Sequence, residues 1–508
     1  MNLLDRAIAA VAPKLALSRV QARTQLELIG KLGGVKRGYD AASRGRRTQN
    51  WRTPARGAVL EVQTARALIR DRARDLVRNN PWGRRAVHVQ VSNQIGTGIR
   101  PRANTSSKDL NKRIDELWEE WGAGCDPSTG LDIYGIQALA ARTRSESGEG
   151  LVLMSRRGEN SARVPLTLQV LETDWLVEDH TSAALPQSPV REGIRFDANG
   201  RRIAYQLYDA NPNDIWQSGL ANFREVPARD VVHLYRIERP GQLRGVSDLA
   251  SVMGRLRDLD DYHDAALMMA KVQAVLGVFV TQTGGPTASP LGAASNDELG
   301  RLEELMPGMI GYLRPGEDVK FLAPQASGPF AEYTRAALHA IAMGVGLTYH
   351  LLTGDLRDAN YSSLRAGNIE FRRNVEQDQW LMLIPLLCVP IWNAFISQAV
   401  LSGALPTAAA GATALWTPPR FELVDPSRDT LAIIAQVRAG LMTMPQAIAE
   451  MGWDPEKQVA EIKAFNELVD AAGVILDTDP RRISGPGTPN DPKQLAKIEL
   501  DAKAGDKP

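Results

Sequence analysis

Apolar positions recur along most of this chain with the spacing of helices, and one stretch in the middle switches to the spacing of strands. From about residue 60 to 87 the pattern predicts two helices that meet at Asn79-Asn80-Pro81, because a residue before proline is biased away from the helical basin. GTGIRPR (96–102) reads as a turn. Ile114, Leu117, Trp118 and Trp121 fall on one face of a helix over 110–121, and 131–147 is helical again. LTLQVLETDWL (166–176), GIRFDANGRRIAYQLYD (193–209) and DVVHLYRIE (230–238) then alternate with a period of two, and D-A-N-G-R at 197–201 predicts a hairpin turn.

Past Pro240-Gly241, residues 246–275 form one uninterrupted helical pattern, about 45 Å long at 1.5 Å per residue. A loop rich in Gly, Pro, Ser and Ala (283–296), strand-like pieces around Arg314-Pro315-Gly316-Glu317, a helix over 329–343 and a polar, Gly-rich loop over 344–360 follow. Residues 361–401 are mostly helical, kinked at Pro385 and Pro390. A strand is expected at 420–425 and a helical unit at 428–472, with Thr443 and Pro445 where a helix starts and Gly452 where one stops. From Asp477 on, Pro, Gly, Asp and Lys without period predict a disordered tail. The fold class is mixed α+β.

Composition narrows this only a little. With 508 residues, 44% of them apolar, the chain can build cores for two to four domains. Two cysteines, Cys125 and Cys388, exclude a disulfide framework or a Cys-rich zinc site and point to a reducing compartment. Charge changes the picture more. The net charge of +1 hides a polarity: residues 1–102 carry 21 Lys+Arg, 18 of them Arg, against 6 Asp+Glu, so a net of +15 is balanced by −14 beyond. Arg matches phosphate geometry and suits a nucleic-acid or acidic-protein surface, but it equally serves solvated helices. Residues 380–401 are apolar and long enough to span a bilayer. Their prolines, Asn393, Ser397 and Gln398 favour a buried helix, with a membrane-associated scaffold as the alternative.

The chemistry of catalysis is missing from the pattern. Gly30-Lys31-Leu32-Gly33 fails the phosphate-loop spacing, Gly96-Thr97-Gly98 lacks its third glycine, and the six histidines show no metal-ligand spacing. Glu146 and Glu149 flank Gly148 with no partner motif. Asp258, Asp260, Asp261 and Asp264 follow one another at helical i, i+3 and i+4 steps, spread over about 160° of arc, a stripe rather than a cage. A solvated acidic stripe is the reading favoured here. Metal ligation by the same residues, in a DNA-processing enzyme that binds through its basic N-terminus, is the alternative. No cofactor is expected.

Six segments in order resemble the lambda-type phage portal proteins: YDAASRGRRTQNW (39–51), ARDLVRNNPWGRRAV (73–87) with IGTGIRPR (95–102), ARTRSESGEG (141–150), VPARDVVHLYRIERPGQLRGVSDLA (226–250), LRPGEDVKFL (313–322) and LTGDLRDANYSSLRAGNIEFRR (352–373). The resemblance spans about residues 35–465. It implies a non-enzymatic ring, usually of twelve copies, at one capsid vertex of a tailed phage or prophage. Such a ring nucleates the head, docks the terminase large subunit, passes double-stranded DNA without sequence specificity during packaging and ejection, and later joins head to tail through a head-completion adaptor. Capsid and scaffold proteins are further implied partners. Its place is the virion, after assembly in the host cytoplasm, and no membrane is involved.

The resemblance also implies an organisation. Residues 1–34 would be an N-terminal arm, 35–245 the first part of an α+β wing, 246–275 the first stem helix, 276–326 a β-containing clip and 327–347 the second stem helix. A tunnel loop (348–362), the rest of the wing (363–427), a helical crown (428–475) and the tail (476–508) would complete the chain. Channel-facing candidates are Asp258 and Asp261 on the stem with Asp355, Arg357, Asn360 and Tyr361 in the tunnel loop. Arg314, Glu317 and Asp318 would face terminase or adaptor from the clip, and Arg44, Arg46 and Arg47 would lie on the outer basic surface. Duplex DNA carries a negative charge about every 1.7 Å, so a passage for it should be acidic or mixed, because a strongly basic one would grip.

Overall fold

The boundary at Asn80 is built by capping chemistry. Helices α1 (Ala58–Gln63) and α2 (Arg66–Asn79) lead to Asn80, whose backbone is extended and whose Oδ1 accepts a hydrogen bond from Gly83 N at 2.8 Å. Pro81 takes the first position of α3 (Pro81–Gln94), where its missing N–H costs nothing. The computed structural model in which this is seen describes residues 55–156, 163–178, 188–213, 222–275, 279–282, 317–320, 330–357, 360–421, 425–474 and residues 476, 479 and 481. The expected N-terminal arm, nearly all of the clip and the end of the tail lie outside these residues.

The predicted turn at 96–102 is shorter than expected, and β1 (Arg100–Asn104) begins inside it. Helices α4 (Lys108–Gly122) and α5 (Ile133–Ser147) follow, each started by a side-chain cap, Ser107 and Asp132. The antiparallel strands β2 (Glu149–Ser155) and β3 (Thr167–Leu171) come next. A second antiparallel sheet is a meander of β4 (Val190–Arg191), β5 (Ile194–Phe196), β6 (Arg202–Tyr208) and β7 (Phe223–Pro227), with the expected hairpin turn between β5 and β6. Strand β8 (Val231–Tyr235) returns to the first sheet and pairs with β2, Leu151 opposite His233, so the order there is β3-β2-β8.

Helix α6 (Met253–Val275) starts seven residues later than its apolar pattern predicts. Ser247 and Asp248 are held elsewhere: Ser247 Oγ donates to Ser145 O at 3.3 Å and accepts from Leu249 N at 3.2 Å, while Asp248 pairs with Arg144 at 2.8 Å. Local side-chain bonds of this kind compete with the helix. Strands β9 (Phe279–Gln282) and β10 (Glu317–Lys320) pair antiparallel. Helix α7 (Phe330–Gly344) follows, then α8 (Tyr349–Thr353), a short helix within the predicted loop.

The long apolar helix runs as α9 (Tyr361–Asp378), a stretch of wide π turns over Gln379–Cys388 that contains Pro385, and α10 (Val389–Leu401). It is the one helix among the described residues long and apolar enough to cross a membrane. Its apolar side is core: Leu383, Leu387, Ile391, Trp392 and Phe395 are buried against α4 and α5. Rings of Trp118, Trp121, Trp392 and Phe395 meet at centroid distances of 5.1 to 5.9 Å, and the Trp392 indole N–H donates to Ala412 O at 2.8 Å. The return strand is β11 (Thr413–Thr417), earlier than the expected 420–425, of which residues 422–424 are outside the described set. It pairs antiparallel with β1, Arg100 opposite Thr417. Helices α11 (Pro426–Arg438), α12 (Met444–Glu450) and α13 (Pro455–Ala472) are the last helices among the described residues, and Thr443 caps α12 as its position predicts.

Candidate functional site: a helical hairpin on a buried ionic base

Three of the segments that carry the resemblance, 73–87, 141–150 and 226–250, are brought together at the base of α6. Glu149, at the start of β2, is buried and accepts from Arg244 Nε at 2.9 Å on both carboxylate oxygens. His233 Nε2 lies 2.6 Å from Glu149 Oε2, and His233 Nδ1 lies 3.3 Å from Arg202 Nη1. A guanidinium can only donate, so Nδ1 is the acceptor and Nε2 carries the proton that it gives to Glu149. Histidine is therefore neutral here. Burial, with Arg202 and Arg244 acting the same way, lowers its pKa to about 4 against the opposing pull of Glu149. Burial alone would raise the Glu149 carboxyl, but Arg244 and His233 override it and hold it well below the usual carboxylate range.

Glycines let these elements touch. Gly148 has φ +95°, and a Cβ there would come within 2.6 Å of the Val246 carbonyl carbon. A Cβ at Gly245 would lie 2.0 Å from Gly148 O. The glycines of S-G-E-G and L-R-G-V thus serve close backbone approach.

A second set of charges runs beside the first. Arg66, Arg70 and Arg74 are spaced i, i+4, i+8 on one face of α2 and meet the carboxylates of residues 174–192. Arg66 Nη1 is 2.5 Å from Glu192 Oε2, Arg74 Nη2 is 2.6 Å from Asp174 Oδ2, and Arg70 pairs with Glu178 and, at 3.3 Å, with Asp174. Farther on, Arg236 Nη2 and Gln94 Nε2 both donate to Asp378 Oδ2, at 2.7 and 2.8 Å. Part of the N-terminal positive charge is thus neutralised inside the protein, on α2, rather than offered to a partner.

On this base stand α6 and α7, antiparallel. Val252 packs where a Gly344 side chain would be, at 2.3 Å from its Cβ position, and Ser251 Oγ donates to Gly344 O at 3.1 Å. Farther out, His263 Nε2 and Thr334 Oγ1 are 3.1 Å apart, and Tyr262 lies with Phe330 and Tyr333 at centroid distances of 5.5 and 4.5 Å. Leu256 and Leu259 are buried in one cluster with Leu338 and Ile341. The acidic stripe divides accordingly. Asp260 Oδ2 accepts from Asn80 Nδ2 at 2.8 Å, tying α6 to the cap of α3. Asp258, Asp261 and Asp264 stay exposed, and Asp261 pairs with Arg257 at 3.2 Å. Among the described residues no three His, Cys, Asp or Glu are placed to hold a metal ion.

Past α8 the loop is self-paired. Arg357 grips Asp355 with Nε to Oδ1 at 2.9 Å and Nη2 to Oδ2 at 2.8 Å. These bonds hold the Asp355 carboxyl well below the usual range. Asn360 caps α9: its Oδ1 accepts from Ser363 N at 2.8 Å, and Ser363 Oγ faces Asn360 N at 3.2 Å. Tyr361 is the first residue of α9. Glu317 and Asp318 lie in β10, opposite Gln282 and Thr281. Arg314, Arg44, Arg46 and Arg47 lie outside the described residues. The structure therefore pairs Asp355 with Arg357 in the loop, sets Asn360 and Tyr361 at the start of α9, and leaves the base charges as the group the candidate residues missed. Their signal was present: His233 sits in a strand that is otherwise apolar, and Glu149 leads one. A charge in such a place has to be paired.

This is the architecture of an α+β protein that carries a helical hairpin on an internally neutralised base. The family model described as phage portal protein, lambda family, matches residues 44–379, and the chain belongs to that family. It is a structural protein, not an enzyme. A probable portal protein of Halomonas phage phiHAP-1 is 26% identical over 462 residues, which cover 85% of this chain and 88% of the relative. Portal protein B of Escherichia phage lambda is 20% identical over 363 residues, 64% of this chain and 67% of the relative. Among solved structures, a chain from the neck of a native gene transfer agent particle, computed with C12 symmetry, is similar at 17% identity and a TM-score of 0.45, covering 75% of this chain and 94% of that one.

Proposed function

We propose that copies of this chain close into a ring at one capsid vertex, and that double-stranded DNA passes through it along the hairpin of α6 and α7. In this reading residues 35–245 and 363–427 form the wing, α6 and α7 the stem, the segment carrying β9 and β10 the clip, residues 348–362 the tunnel loop and α11 to α13 the crown. The clip, with Arg314, Glu317 and Asp318, meets the terminase large subunit during packaging and the adaptor afterwards. Capsid and scaffold proteins contact the outer basic surface around Arg44, Arg46 and Arg47. Assembly takes place in the host cytoplasm.

The observation that carries the reading, beyond family membership, is how charge is arranged on the hairpin and the loop. Asp258, Asp261 and Asp264 are exposed on α6 beside Arg255 and Arg257, a mixed surface that neither binds nor strongly repels a phosphate backbone. Arg357, the cation of the loop, is already held by Asp355. Imaging of the purified chain by negative-stain electron microscopy tests the proposal: rings with a central channel are expected, and monomers alone at high protein concentration would overturn it.

A further inference from the structure

The turn between β5 and β6 is built on D-A-N-G-R (197–201), and Asn199-Gly200 within it is the one Asn-Gly pair in the sequence. The turn is closed by Gly200 N, which donates to Asp197 O at 3.0 Å, and by Asp197 N, which donates to Arg201 O at 2.8 Å. Gly200 has φ +77°, a left-handed backbone that favours glycine, and nothing lies within 4 Å of the place a Cβ would take. Asn199 and Gly200 are both exposed. The Asn199 carboxamide makes no hydrogen bond among the described residues, whereas those of Asn80 and Asn360 are held in helix caps.

An unheld carboxamide followed by an uncrowded backbone amide is open to intramolecular attack. Once hydroxide has removed the proton from Gly200 N, that nitrogen can add to Asn199 Cγ. The new N–C bond closes a five-membered imide, the Cγ–Nδ2 bond breaks, and Nδ2 leaves as ammonia after taking a proton from water, which regenerates the hydroxide. Water then opens the ring at one of its two carbonyl carbons. The free carboxylate ends either on Cγ, giving an aspartyl residue, or on the former main-chain carbonyl carbon, giving an isoaspartyl residue whose main chain runs through Cβ and Cγ. No oxidant, reductant or second protein takes part. The turn also carries a brake. Asp197 Oδ1 accepts from Asn199 N at 2.9 Å and from Arg201 N at 2.7 Å, which pins the backbone on both sides of Gly200 N. The same carboxylate opposes the negative charge that Gly200 N must take on before it attacks.

We propose that Asn199 is a self-modifying site, converted in the folded protein to aspartyl and isoaspartyl forms at a rate restrained by Asp197. Either product adds a negative charge beside Asp197. The isoaspartyl form also lengthens the main chain, so the bonds from Asp197 to residues 199–201 cannot all be kept. Arg202, the next residue and the first of β6, reaches the buried His233 and Tyr235, so the altered turn borders directly on the ionic base. The test is to age the purified full chain at pH 6 and pH 8.5 and to follow the tryptic peptide 196–201 by mass spectrometry against an unaged control. Amide should give way to carboxylate in this peptide, faster at the higher pH, and the isoaspartyl product should accept a methyl group from a protein isoaspartate methyltransferase. The peptides that hold Asn80 and Asn360 should stay unchanged. Asp197→Ala should speed the conversion about tenfold or more, the factor expected when two backbone bonds to a carboxylate are lost. Asn199→Gln should remove the acidic species that ageing produces on isoelectric focusing of the intact chain. Survival of the amide in the folded protein, under conditions that convert the free peptide of the same sequence, would overturn the proposal. Acidic species that persist in Asn199→Gln would place the change elsewhere and overturn it too, and equal rates in wild type and Asp197→Ala would overturn the restraining role of Asp197.

Discussion

His233 offers a direct measure of whether the ionic base holds the fold together. In the folded protein it is neutral, with a pKa lowered from the ordinary 6.5 to about 4, so between these values the unfolded chain binds a proton that the folded chain refuses. Stability from this group is present above pH 6.5 and is lost as pH falls toward 4. The shift corresponds to about 3 kcal/mol in all, of which about 2 kcal/mol is gone by pH 5, before carboxylates of ordinary pKa titrate strongly. His233→Gln removes the titration but keeps both hydrogen bonds in outline, with the amide N–H toward Glu149 and the amide oxygen toward Arg202. Thermal unfolding of both proteins at pH 7.5 and pH 5.0 gives the assay. Wild type should lose about 4–8 °C more than the variant over that interval for a cooperative unit of 150–250 residues. Equal losses in the two proteins would refute the neutral tautomer and the burial argument behind it.

Other changes have equally definite outcomes. Glu149→Gln leaves Arg244 buried without its counter-charge and should destabilise by about 3–5 kcal/mol in urea unfolding, more than any exposed ion pair would. Asn80→Ala removes both the cap of α3 and the strut to Asp260; a loss of about 1–2 kcal/mol is expected, together with faster amide exchange near Asp260. Asp355→Ala releases Arg357 in the loop. Duplex binding by the assembled protein, followed by fluorescence anisotropy, should then steepen with salt by about 0.9 in the log–log slope for each new phosphate contact, with no change in sequence preference.

What could be read from the residues follows from how local each determinant is. Asn80-Pro81 and Thr443 announce helix starts because the caps act within three residues, and the turn at Asp197 to Arg201 is equally local. Pro385 marks an interruption of the long helix in the sequence, but the wide π turns that carry the chain through it do not show there, and Trp392 and Phe395 pack against Trp118 of α4 just beyond them. The pairing of β1 with β11 joins residues more than three hundred apart, and no local period reveals it. The site divides the same way. Asp258 and Asp261 were legible as a stripe, but nothing along the chain separates Asp260 from them, because its partner, Asn80, lies on another helix. Motifs such as ARTRSESGEG and HLYRIERPGQLRG point to the family without saying why they exist. In the structure they supply buried arginines matched to carboxylates, Arg144 to Asp248 and Arg244 to Glu149, and glycines that let strand and loop touch.

The pairing of β9 with β10 has a practical meaning for anyone who wants to modify this chain. Gln282 and Glu317 are neighbours in the ladder, so the polypeptide leaves and re-enters the hairpin at one place, whatever length lies between. A reporter domain or affinity tag whose own ends are close together can be grafted there without asking any paired strand to move. The same graft inside β1 or β11 would split the ladder that joins residues 100–104 to residues 413–417.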